Sequence, residues 1–202
     1  MATTARSIRV HSRRRSLGGA AGNARLTSLV GAVLLVLLAV EGATIPFLGS
    51  LLSVHIFVGM LLLGPVALKL ASTGYRFGRY YTRGREYVEA GPPVPVLRLV
   101  VAPVLVASTL TLFTTGVLLI ATAHRGTLLG LHKASFIVWV SACAIHVLAY
   151  ARRMMRHLFD GRIGGGSMRI ALVLIVLAAG LAVAVETYPL AAPWLHGLVR
   201  DG

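Results

Sequence analysis

Residues 51–72 read LLSVHIFVGMLLLGPVALKLAS. As a helix this stretch is about 33 Å long at 1.5 Å per residue, enough to cross a hydrocarbon core of about 30 Å. Polar and apolar residues do not alternate along it, so it does not read as a barrel strand. Irregular backbone cannot face lipid, which leaves a helix with its hydrogen bonds satisfied internally. Four further runs share the pattern, at Leu26–Pro46, Leu97–Thr122, Leu128–Tyr150 and Met168–Glu186. The expectation is therefore an all-α, polytopic membrane protein with five transmembrane helices. The short links Phe47–Ser50 and Ala123–Thr127 force antiparallel neighbours, pairing spans one and two and spans three and four.

Composition agrees. The 202-residue chain is 56% hydrophobic and 13% charged, with a mean hydropathy of +0.81; soluble domains run near a quarter charged. The net charge is +14, carried almost wholly by arginine, since Lys69 and Lys133 are the only lysines. The arginines cluster between apolar runs, which describes basic loops and not a nucleic-acid groove. One cysteine, Cys143, excludes an internal disulfide and a multi-cysteine metal site. The sequence has no phosphate loop, nucleophile triad or paired catalytic carboxylates, so a hydrolase or kinase has no support and no catalytic residue is assigned.

Arginine placement sets the orientation. Arg6, Arg9, Arg13, Arg14, Arg15 and Arg25 precede span one; Arg76, Arg79, Arg83 and Arg85 follow span two; Arg152, Arg153, Arg156 and Arg162 follow span four. Only Arg125 and Arg200 fall on the other side. The positive-inside rule then places the N-terminus in the cytoplasm and the C-terminus outside, in the cell inner (cytoplasmic) membrane. This divides the chain into a basic cytoplasmic tail (1–25), a four-helix membrane bundle (26–151), a basic cytoplasmic loop (152–167) and a fifth helix with a short outer tail (168–202). The run Gly164-Gly165-Gly166 reads as a hinge that sets the fifth helix apart.

Ionisable residues inside spans are costly and mark function by default. His55 and Lys69 are fourteen residues apart on span two, and His132 and His146 are fourteen apart on span four. Fourteen residues make just under four turns, about 21 Å, so each pair shares a helix face at two depths. Spans two and four run in the same direction. His55 is thus level with His132 toward the outer surface, and Lys69 with His146 toward the inner. Two neutral imidazoles converging from facing helices in an apolar bundle suit a six-coordinate haem iron. Gly59, one turn from His55, and Gly116 on span three are candidates for letting a flat macrocycle approach the backbone. Lysine ligates iron only as the neutral amine, so Lys69 is either a ligand or a charged group for a haem propionate or quinone oxygen. The bland alternatives are histidines hydrogen-bonded within the bundle and basic side chains snorkelling to headgroups.

Two stretches carry a family likeness: HIFVGMLLLGPVALKLASTGYRF (His55–Phe77) and RGTLLGLHKASFIVW (Arg125–Trp139). With matched histidines on the second and fourth helices, the chain resembles the di-haem membrane cytochrome b families, and within them actinobacterial membrane proteins of that general type. The likeness covers spans two to four, about half the chain. It implies a four-helix haem b bundle serving quinone-linked electron transfer, with His55 and His132 as axial ligands of one haem and His146 as a ligand of a second. Lys69 departs from that bis-histidine pattern.

Around this constellation, Arg125 is a candidate partner for haem propionates. Glu41 reads as a solvated helix-end carboxylate, with a quinone-site or proton-path acid as its alternative. The resulting expectation is an electron-transfer subunit more than a self-contained enzyme. It would carry one or two haems b, with quinone as a further candidate ligand. Its partners would be the lipid bilayer and a redox protein on the outer side, with no nucleic acid and an open oligomeric state. The rival readings are a haem-free membrane anchor or assembly protein, and a small proton-coupled carrier using Lys69, His146 and Glu41.

Overall fold

The computed structural model describes residues 19–89, 94–159 and 166–198; the tail before Gly19, Gly164, Gly165 and Arg200 lie outside them. All its regular elements are helical. They are α1 (Gly19–Thr44), α2 (Leu48–Tyr81), the short α3 (Arg85–Glu89), α4 (Ala102–Thr122), α5 (Gly126–Phe159), α6 (Gly166–Thr187) and the short α7 (Ala192–Leu195). Four stretches are long and apolar enough to cross a membrane. The first of these, Gly19–Tyr81, contains both α1 and α2, folded back on each other at the 3-10 turn Ile45–Phe47, so the long helices number five. Large apolar side chains cover the outside, among them Val36 at 66% exposure and Leu148 at 80%. A surface of that character needs lipid around it.

Both hairpins are antiparallel. In the first, Pro46 sits in the turn, where its fixed φ and missing N–H end α1. The register then brings Thr27 beside Lys69 and Ser72, and Thr44 beside His55. Helix α1 also packs on α5, and α2 touches α4, which closes a ring in the order α1, α2, α4, α5. Helices α2 and α5 lie across the diagonal of this ring with little backbone contact. The best-packed core is elsewhere, where Val30 and Leu34 of α1, Val58 and Leu62 of α2, and Val173 of α6 meet. Inside the ring the buried residues of α4 and α5 are mostly small or hydroxylated: Ser108, Thr109, Thr115, Ser135 and Ala142.

Helix α6 lies against α2 through two glycines. A side chain on Gly64 would strike the Val176 carbonyl, and one on Gly180 would strike the Leu61 carbonyl. Only glycine permits this approach, which puts an α-hydrogen of each helix against a carbonyl of the other. Leu61 is four residues before Pro65, which has no N–H to return to it. The carbonyl that proline leaves open is thus the one covered by Gly180. Before α4, residues Leu97–Val101 form a wide π-type turn. It is followed by Ala102 and Pro103, and the proline ring would clash with a regular preceding turn.

Three boundaries differ from the sequence reading. Helix α5 continues through Arg152, Arg153 and Arg156 to Phe159, so the first half of the expected basic loop 152–167 is helical. Arginine, methionine and leucine are good helix formers, and no glycine intervenes before Gly161. Likewise α2 runs on to Tyr81, and α1 begins at Gly19, inside the expected tail. Hydropathy ends where the hydrocarbon ends; the hydrogen-bonded helix need not.

Candidate functional site

At the arginine-poor end of the ring, His55 on α2 lies within electrostatic reach of His132 on α5. Each ring is held by one nitrogen. His55 Nδ1 is 3.0 Å from Glu41 Oε1 and 2.9 Å from Thr44 Oγ1. Thr44 Oγ1 itself lies 2.6 Å from the Glu41 carbonyl. A hydroxyl has one proton and a carbonyl has none to give, so that proton goes to the carbonyl and His55 Nδ1 must be the donor. His132 repeats the logic. Its Nδ1 is 3.0 Å from Thr115 Oγ1, and that hydroxyl donates to the Thr111 carbonyl at 2.7 Å. Both histidines therefore carry hydrogen on Nδ1, and in the neutral imidazole this leaves the lone pair on Nε2. The backbone carbonyl of Leu112 is also within hydrogen-bond reach of His132.

Both glycines adjoin the groups around the histidines. A Cβ on Gly59 would come within 3.3 Å of Glu41 Oε1, so the space over Gly59 admits the carboxylate that holds His55. A Cβ on Gly116 would lie 3.2 Å from His132 Cε1, so Gly116 gives room to the imidazole. Glu41 is no solvated helix end. Its side chain is 16% exposed, and its second oxygen, Oε2, is buried without a partner.

The second level lies deeper. Lys69 Nζ donates to the Thr27 carbonyl of α1 at 2.8 Å and sits over Gly31, beside Met154. His146 is within charge range of Lys69, and its ring lies 4.8 Å from that of Tyr150. Ser72 and Asn23 continue the polar seam between α1 and α2, with Asn23 Nδ2 donating to the Ser72 carbonyl at 3.0 Å. Between the levels, Trp139 Nε1 donates to Thr109 Oγ1 at 3.0 Å. Arg125 has its guanidinium 5.8 Å from the Trp194 ring centre.

The fold thus brings together all four residues of the sequence constellation, in the two pairs their spacing implies. Sequence reasoning missed Thr44 and Thr115 and misplaced Glu41. Helical hydroxyls usually return a hydrogen bond to their own backbone, and only the tertiary register shows which of them also accept from a histidine. Among the described residues no group of three or more His, Cys, Asp or Glu is arranged to hold a metal ion. A chemistry needing only two axial nitrogens remains within reach of this site. No protein-family model, curated protein or solved structure matches the chain.

Proposed function

We propose that the chain is a membrane cytochrome of the b type, with haem held between α2 and α5 by Nε2 of His55 and of His132. The observation that carries this reading is the pair of Nδ1 hydrogen bonds. A histidine that ligates a metal typically donates its other N–H to a carboxylate, carbonyl or similar acceptor, which fixes the tautomer and aims the ring. His55 has Glu41 and Thr44 for this purpose, and His132 has Thr115. The sparse contact between α2 and α5 and the small residues lining the ring favour a flat group between them. Bound haem supplies a one-electron carrier whose potential is set by its ligands and low-dielectric surroundings. Lys69 is occupied by a backbone carbonyl, which favours a single haem, with Lys69 as an auxiliary cation near it.

With the arginine-rich end in the cytoplasm, the histidine pair lies toward the outer face of the inner membrane. There it would pass electrons between the quinone pool and a partner protein, as a subunit of a larger oxidoreductase. The test is optical. Expressed with adequate haem supply and purified in mild detergent, the chain should give a sharp low-spin b-type reduced-minus-oxidised spectrum and one pyridine haemochrome equivalent per chain. A folded, colourless protein that takes up no added haemin would overturn the reading and leave a haem-free anchor in its place.

A further inference from the structure

Arg153 follows Arg76 by the same number of residues as His132 follows His55 and His146 follows Lys69. Because α2 and α5 run in the same direction, this constant offset produces a third facing pair. Arg76 feels the charge of Arg153, and the other groups acting on it are Tyr150 and Tyr87. No carboxylate is among them, and neither arginine makes a hydrogen bond or ion pair among the described residues. Both side chains are partly buried. Burial, and next to it Arg153, push the Arg76 guanidinium below its ordinary pKa. Two guanidiniums held this way repel each other unless an anion lies between them.

Depth selects the anion. Arg76 is 21 residues beyond His55 on α2, a rise of about 31 Å, which is one hydrocarbon thickness. If the histidine pair sits near one interface, the arginine pair sits in the headgroup plane of the other. We propose that the Arg76/Arg153 pair binds the phosphodiester headgroup of an anionic phospholipid. Guanidinium forks match phosphate oxygens bidentately, and basic pockets between membrane helices are known sites for acidic headgroups. The site does not depend on haem.

The experiment uses the full chain in mild detergent, with native mass spectrometry against phosphatidylglycerol and phosphatidylcholine. The wild type should retain one phosphatidylglycerol per chain, with a preference over phosphatidylcholine of about tenfold or more. The double variant Arg76→Gln/Arg153→Gln should lose that preference, whereas Arg83→Gln/Arg85→Gln, exposed charges at the same end, should keep it. Equal retention by the Arg76/Arg153 variant would overturn the proposal. So would displacement of the lipid by millimolar inorganic phosphate, which would assign the pair to a free anion. Loss of haem in place of lipid would also overturn it, by assigning the pair to a propionate. If the glutamine variant does not fold, Arg76→Lys/Arg153→Lys keeps the charge and removes the forks. It should lower the preference about threefold or more, and an unchanged preference would overturn the proposal.

Discussion

The His55/His132 pair and the Lys69/His146 pair occupy equivalent positions on the same two helices, yet their surroundings differ. At the first level, α1 contributes Glu41 and Thr44 and α4 contributes Thr115, and each of these oxygens accepts from a histidine Nδ1. At the second, α1 contributes a backbone carbonyl, which takes a hydrogen bond from Lys69, and His146 lies beside Tyr150 on its own helix. Matched spacing on α2 and α5 fixes the level of each residue. What a level can do is decided by the other two helices of the ring. The first holds two imidazoles by their Nδ1 atoms. The second anchors an amine.

The largest expected effect breaks the comparison outright. His55→Ala and His132→Ala should each reduce bound haem to background in the reduced-minus-oxidised spectrum, while His146→Ala should leave the haem content per chain unchanged. Equal losses from all three would make the levels equivalent. Next in size, and outside both levels, Gly180→Leu must push α6 off the Leu61 carbonyl. It should lower stability by about 2–3 kcal/mol, read by denaturation in detergent, without removing either histidine.

A smaller change sharpens the first level. Thr115→Val takes away the acceptor of His132 Nδ1 and should weaken haem retention about tenfold, with Thr115→Ser restoring it. Unaltered retention in Thr115→Val would remove the orienting role assigned to that hydroxyl. The smallest effect belongs to the second level. Lys69→Met exchanges a partly buried amine for an apolar chain of similar length, so stability should change by about 1 kcal/mol or less and the haem signal per chain should hold. Loss of half that signal would promote Lys69 to a ligand.

Much of this arrangement was legible in the residues. The five helices follow from apolar runs, and the pairing of His55 with His132 and Lys69 with His146 follows from parallel helices and equal spacing. Glu41 was misread because it was judged by its distance from the end of span one. The tight turn at Ile45–Phe47 fixes the hairpin register, and that register sets Glu41 opposite Gly59, under cover of α2. Reading the register from the turn would have found it. Thr115 stands in the same relation to His132 across the short link between α4 and α5, and the register of that second hairpin sets the two side by side. The ends of α2 and α5 were drawn short because hydropathy reports the thickness of the hydrocarbon, while helix continuation depends on propensity and on where glycine next occurs.

The seam between Pro65 and Gly180 bears on how the protein is made. During synthesis α2 enters the bilayer long before α6, and its Leu61 carbonyl has no donor from its own helix, because residue 65 is proline. An uncompensated carbonyl in hydrocarbon is costly. The position stays exposed to chance partners until α6 emerges and closes over it with Gly180. Helix α6, made later than α2, therefore covers the carbonyl that α2 leaves open and completes that face of the bundle.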